Sequence, residues 1–252
     1  MIGAGNLATS LGHALGKAGH SVAQVWSRTM ESASVLAEAL QAEPLTDVSD
    51  IACDADVYVF ALKDSALEAV IRQVCPSRPE GVFLHTAGSM SMEVFEGCAS
   101  HYGVCYPMQT FSKSRVLDFS EIPIFMEASD EVSRTLLSEL AVSISSNTRW
   151  LSSADRRYLH LAAVFACNFP NHCYALAEAL LAEHDIPFSV MLPLIDETAR
   201  KVHQLSPRAA QTGPAVRYDE NVISRQAQLL ENHPEWKEIY EKMSKNIHKL
   251  NS

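Results

Sequence analysis

Three groups of residues in this 252-residue chain have the types and spacing to do chemistry. The first is Gly3, Gly5 and Ala8 in Met1-Ile2-Gly3-Ala4-Gly5-Asn6-Leu7-Ala8, a G-x-G-x-x-A pattern. Such a first glycine turns the backbone sharply out of a strand, the second leaves room for a pyrophosphate, and the small third residue lets a helix pack close to a sheet. Amides at that helix start, backed by the helix dipole, then face the phosphate. The bare motif also reads as an ordinary glycine turn. The second group is Ser27-Arg28-Thr29. An NAD site carries Asp or Glu at the end of the second strand. Here a guanidinium and two hydroxyls stand instead, which suits a 2′-phosphate and points to NADP. The alternative is a solvated loop charge at Arg28.

The third group is polar. His85 and Ser89 lie in His85-Thr86-Ala87-Gly88-Ser89, and Gln109 lies in Pro107-Met108-Gln109-Thr110-Phe111-Ser112-Lys113. Both segments follow apolar strand patterns, where open α/β sheets bind ligands. Asn168, Asn171 and His172 surround Pro170 in an otherwise apolar helical pattern, where they suit orienting a carbonyl or imine. Buried polar side chains bonding nearby backbone are the alternative, and His160 is read that way. Thr212, with Gly213, sits in a turn-rich connector. His85 and His172 are the groups that titrate near neutral pH and are assigned proton transfer. Asn168 joins them as a catalytic residue that orients the substrate, and Ser89, Gln109, Asn171 and Thr212 are assigned to substrate.

These residues need elements to hold them. Leu7, Leu11, Ala14, Leu15 and Ala18 share one helical face, which Gly19 ends. Ser21–Trp26 reads as the next strand, completing a βαβ unit. Only Met1 and Ile2 precede Gly3, whereas a central strand needs about five residues. The sequence therefore reads as lacking a few native residues or as having a misassigned start. Further strands are predicted at 43–45, 56–62, 81–84, 103–106, 122–127 and 148–151, with helices at 31–40, 66–74 (capped by Ser65) and 131–143. Leu62 and Lys63 border the adenosine–pyrophosphate path. After about residue 152 the pattern is helical: 155–183 with a kink at Pro170, then 189–205, 222–232 and 234–250. The expected class is α/β, a Rossmann-type doubly wound, mostly parallel sheet over residues 1–152, followed by an all-helical domain over 153–252.

A net charge of −10 argues against a nucleic-acid or membrane-surface role. No apolar run approaches the ~20 residues that span a bilayer, and the chain enters its glycine turn at once, so no leader is expected. Six cysteines without C-x-x-C spacing read as reduced thiols of a cytoplasmic protein without a metal site.

The segments IGAGNLA, WSRT, ALKDSAL, HTAGS, YPMQTFSK, HLAAVFACNFPNH and AQTGPAVRYDE together resemble the NADP oxidoreductase-like family that joins a Rossmann-like domain to a helical domain of unknown function. More distantly, the chain is similar to pyrroline-5-carboxylate reductases, ketopantoate reductases and deazaflavin-dependent NADP oxidoreductases. The resemblance implies NADP at Gly3, Gly5, Asn6, Leu7, Ser27, Arg28 and Thr29, a substrate cleft between the domains, and a homodimer through the helical domain. Related hydroxyacid dehydrogenases carry a Lys one turn before an Asn; here Val164 stands where that Lys belongs before Asn168. The expected function is hydride transfer between NADPH and a small carbonyl or imine. The alternatives are a non-catalytic NADP(H) sensor or interaction module and, last, hydride exchange with a flavin or deazaflavin.

Overall fold

A computed structural model describes residues 1–252 and divides them into two compact units, Met1–Asn168 and Phe169–Ser252. In the first, strands β1 (Gln24–Trp26), β2 (Glu43–Leu45), β3 (Val57–Phe60), β4 (Val82–His85), β5 (His101–Pro107), β6 (Ile124–Ala128) and β7 (Thr148–Trp150) alternate with helices α1 (Asn6–Lys17), α2 (Met30–Leu40), α3 (Asp64–Val74), α4 (Glu131–Ile144) and α5 (Ser153–Ala163). β1 pairs with β2, and β3 to β7 form a five-stranded set in sequence order. All pairings are parallel except β5 with β6.

The short first strand survives as one residue. Ile2 bridges Trp26 on one side and Phe60 on the other, joining the two sets of strands. Four backbone hydrogen bonds of 2.8–2.9 Å make the joint: Ile2 to Val59, Gly3 to Trp26, Trp26 to Met1 and Ala61 to Ile2.

Strand alternation sorts the core onto the two faces of the sheet. Tyr58, Phe60 and Phe83 pack with Leu67, Ile71 and Val74 of α3 and with Phe95. Val59, Val82, Leu84 and Cys105 pack with Leu11 and Leu15 of α1 and Leu137 and Ala141 of α4. Lys63 occupies the cap position of α3 without a side-chain bond, and Ser65 lies inside the helix. Ser65 is therefore not the cap. The chain enters α3 directly from a strand-end loop, which leaves its first amides open.

The predicted kink is a π-turn. α5 runs into Val164–Asn168 with π geometry, and α6 (Phe169–Ala182) begins immediately after. Pro170 has no N–H and its ring crowds the preceding turn. One wider turn just before it relieves both conflicts.

In the second unit α6 is followed by α7 (Leu192–Lys201), which starts after a 3₁₀ turn at Phe188–Met191 and so is shorter than the predicted 189–205. Then come α8 (Pro207–Ala210), α9 (Pro214–Arg217), α10 (Glu220–Gln228) and α11 (Pro234–Asn251). α11 packs on α9 and α10 through the Tyr218–His248 ring stack (4.8 Å) and a Tyr240-to-Gln226 hydrogen bond (2.7 Å). No helix is long and apolar enough to cross a membrane.

Candidate active site

The glycine turn has the geometry of an anion cradle. Gly3 sits at φ +115°, and a Cβ there would run into the Ala61 carbonyl, so only glycine fits. Gly5, the cap residue of α1, faces open space: nothing lies within 4 Å of where its Cβ would be. No side chain caps α1 and no acidic residue occupies its first turn. Asn6 is exposed, Leu7 half-buried and Ala8 fully buried against the sheet. The open amides, the missing Cβ and the absent carboxylate fit a dinucleotide pyrophosphate.

Along the sheet, Ser27 donates its N–H to Leu45 O at 3.0 Å and Arg28 is exposed. Thr29 accepts from Ser32 N–H at 3.4 Å and so caps α2, leaving its own hydroxyl hydrogen for another partner. The one carboxylate in that first turn, Glu31, is exposed. On the other side of the glycine turn, Leu62 is half-buried, Lys63 is exposed, and the Ser89 hydroxyl donates a short hydrogen bond to Asp64. That bond ties the loop after β4 to the start of α3.

His85 ends β4 and is fully buried. Its Nδ1 accepts from Ala87 N–H at 3.1 Å, so the proton sits on Nε2, which faces Ser91 O at 3.3 Å. Burial first, and the Arg156 charge second, lower its pKa to about 3. Expected as a proton carrier, His85 instead spends both nitrogens on the backbone of its own loop.

The same loop is held from a second side. Arg156, without exposed surface, donates to Glu127 of β6 at 2.6 Å and to Met90 O at 2.6 Å. Ser153 donates to Glu127 and accepts from Met92 N–H at 2.9 Å. This network pins the first turn of α5 to the sheet and to the loop. One turn further along α5, His160 Nδ1 lies 3.0 Å from the hydroxyl of Tyr106, near the carboxyl end of β5. Burial raises the Tyr106 pKa, against the lowering pull of Arg156.

Tyr106 and Arg156 were not singled out from sequence, and His160, read there as a buried polar side chain bonding nearby backbone, meets the Tyr106 hydroxyl instead. The available signals were Glu127 inside an apolar strand and Arg156 and His160 four apart on one helix.

Of the other expected residues, Gln109 is exposed and its side-chain oxygen accepts from Thr110 N–H at 2.9 Å. Asn168 closes the π-turn, Asn171 and His172 lie in the first turn of α6, and all three are exposed. Thr212 is exposed just before Gly213, which has φ +104°.

Residues 1–84 match the family described as NADP oxidoreductase, coenzyme F420-dependent, and residues 122–247 match a domain of unknown function, DUF2520. A Bacteroides fragilis protein named "putative NADP oxidoreductase" is 51% identical, with a TM-score of 0.95 over 98% of this chain and 96% of that one. The pyrroline-5-carboxylate reductase of Coxiella burnetii is 19% identical, with a TM-score of 0.56 over 99% and 95%. The reductive aminase of Aspergillus terreus, solved with NADPH4, cyclohexanone and allyl amine, is 16% identical, with a TM-score of 0.63 over 90% and 75%. These last two share the fold. No curated protein matches the chain. With an open glycine cradle at the end of a parallel sheet, the chain belongs to the NADP oxidoreductase family that couples a Rossmann-type domain to a DUF2520 helical domain.

Proposed function

We propose that the protein is a reductase that uses NADPH to reduce a small carbonyl or imine compound. The observation that carries this reading is the uncapped, acid-free start of α1, with Gly5 facing open space and exposed Arg28 at the end of the adjacent strand. Gly3, Gly5, Asn6 and Leu7 would hold the pyrophosphate, Ser27, Arg28 and Thr29 the 2′-phosphate, and Leu62 and Lys63 the path beside it. The cofactor supplies the hydride. The protein's own part is to orient the acceptor and deliver a proton. Ser89 and Gln109 at the strand ends are assigned to substrate. Asn171 and Thr212 are assigned to substrate as well, and Asn168 and His172 to catalysis.

We also propose a homodimer through the helical unit. α6 and α7 contain no buried residue, and Ile186, Val190, Leu192, Leu194, Val202 and Leu205 are all exposed. An apolar surface of that extent needs a partner. Light scattering at micromolar concentration is expected to give twice the 27.7 kDa chain mass; a monomer refutes the dimer. All six thiols are free, which suits a reducing, cytoplasmic compartment.

The catalytic test follows NADPH absorbance with a panel of cyclic imines, ketones and ketoacids. Oxidation of NADPH by one acceptor class is expected. Bound NADPH that no acceptor oxidises would overturn the reductase reading in favour of a sensor.

A further inference from the structure

We infer that Tyr106 and His160 form the proton-delivering pair of this site, with Tyr106 protonating the atom that hydride transfer leaves negative. The inference rests on the reductase reading above and adds residues to it.

Position is the first argument. A dinucleotide in an open α/β sheet lies along the carboxyl ends of the strands. Its 2′-phosphate end is assigned to Arg28 after β1 and its pyrophosphate to the turn after Ile2. The cofactor's remaining half, which supplies the hydride, would then extend along the strand ends towards β5. From Ile2 to β5 there are three strand spacings, about 14 Å in all, which leaves room for a small acceptor beyond it. Tyr106 lies near the carboxyl end of β5, and His160 reaches it from α5.

The surroundings are built around the pair. The rings meet edge to face at 5.9 Å with the hydroxyl 3.0 Å from Nδ1. Gly88 lies directly beneath them: a Cβ there would stand 2.5 Å from His160 Nδ1 and 2.9 Å from Tyr106 Cζ. The loop after β4 therefore carries glycine at the one place where a side chain would part the two groups. Arg156, four residues before His160, fixes the rotation of α5 through Glu127. The charge that acts on Tyr106 is Arg156 on α5, and Arg156 is paired with Glu127 on β6. Arg156 and Glu127 offset each other, and His85 is neutral. Tyr106 keeps its proton until a stronger base forms beside it, because burial raises its pKa.

The acceptor carbon gains hydride from the reduced nicotinamide, and its π pair moves to oxygen or nitrogen. That atom takes the proton from Tyr106 Oη as the O–H bond breaks. Protonated His160 returns a proton from Nδ1 to the phenol oxygen, and solvent reprotonates the imidazole. The substrate is reduced by two electrons and the nicotinamide is oxidised by two. Donation from His160 Nδ1 also frees the phenol hydrogen to point at the acceptor.

The test uses the full chain with NADPH and NADP⁺ as probes. His160 protonation is followed by NMR of ¹⁵N-histidine-labelled protein, and both Kd values are measured by calorimetry across the pH range. Oxidised nicotinamide carries a positive charge, so imidazolium at His160 disfavours NADP⁺ relative to NADPH. The ratio of Kd for NADP⁺ to that for NADPH should rise severalfold as His160 takes up its proton, because the two positive charges repel. In His160→Gln this pH dependence should vanish while NADPH affinity stays. Tyr106→Phe should keep NADPH affinity and lower kcat about 100-fold or more on the best acceptor of the panel. A pH-independent Kd ratio with NADPH bound would overturn the pair and leave the cofactor reading standing. Absence of NADPH binding to the unaltered chain would instead overturn the reading on which the pair rests.

Discussion

Glu127→Ala tests the element that orients α5. The Arg156 guanidinium has no exposed surface, its Nε has no partner, and its remaining hydrogen bonds go to Glu127, Met90 O and Ser153. Removing the carboxylate takes away the only counter-charge and also strands Ser153 N–H, which donates to Glu127 at 2.8 Å. Breaking one partner of a buried pair costs about 3–5 kcal/mol, because the other charge stays desolvated. For a unit of this size each kcal/mol moves Tm by about 2–4 °C, so the loss is roughly 6–20 °C. Urea unfolding followed by tryptophan fluorescence measures it. Trp26 and Trp150 report the sheet unit and Trp236 the helical one, so separate transitions are resolved if the units unfold apart. The double variant Glu127→Leu/Arg156→Met removes both charges and should recover about 3–5 kcal/mol relative to the single change, returning to the stability of the unaltered chain or above it. A single-variant cost under about 1 kcal/mol, or a double variant equal to the sum of its singles within ~0.5 kcal/mol, would refute the claim that this pair fixes α5.

Two further outcomes concern pH and capping. Burial raises the Asp130 carboxyl pKa, but hydrogen bonds from Ser129, Ser133 N–H, His101 and Val132 N–H outweigh it and hold the group at about 2. The stability this supplies is present above the unfolded value of 3.8 and is lost as pH falls towards 2. Asp130→Ala, which removes the capping box of α4, should cost about 1 kcal/mol at neutral pH and flatten that acid limb in urea titrations. His85 titrates near 3 in the folded chain against an ordinary 6.5, so the unfolded chain takes up a proton first. Stability should fall between those two values as pH is lowered, and His85→Gln should remove that slope; an unchanged slope would mean the imidazole is not held neutral.

The sheet and the cofactor turn were legible because their signals are local. Gly3, Gly5 and Ala8 carry their constraints within eight residues, and the apolar positions of α1 repeat with helical period. The shortness of the first strand was also visible in the sequence: Ile2 makes one bridge on each side. Pro170 announced a break, but its form as a π-turn depends on how the next helix joins, which no propensity encodes. The residues proposed for proton handling were less legible. His85 looks reactive in a polar loop and is tied up by Ala87 and Ser91. Tyr106 and His160 are 54 residues apart and meet where α5, paired to β6 through Arg156 and Glu127, comes alongside β5. A charge meant for burial reads in sequence like any other surface arginine.

The cofactor assignment bears most weight, and calorimetric titration of NADPH and NADH into the unaltered chain and Arg28→Ala tests it most directly. Tight NADPH binding that weakens about tenfold or more in the variant, with NADH unchanged, is the predicted result; it equals loss of ~1.4 kcal/mol or more at a 2′-phosphate contact. Equal weakening of both nucleotides, or no binding of either by the unaltered chain, would contradict the assignment of the glycine turn and Arg28 to NADP.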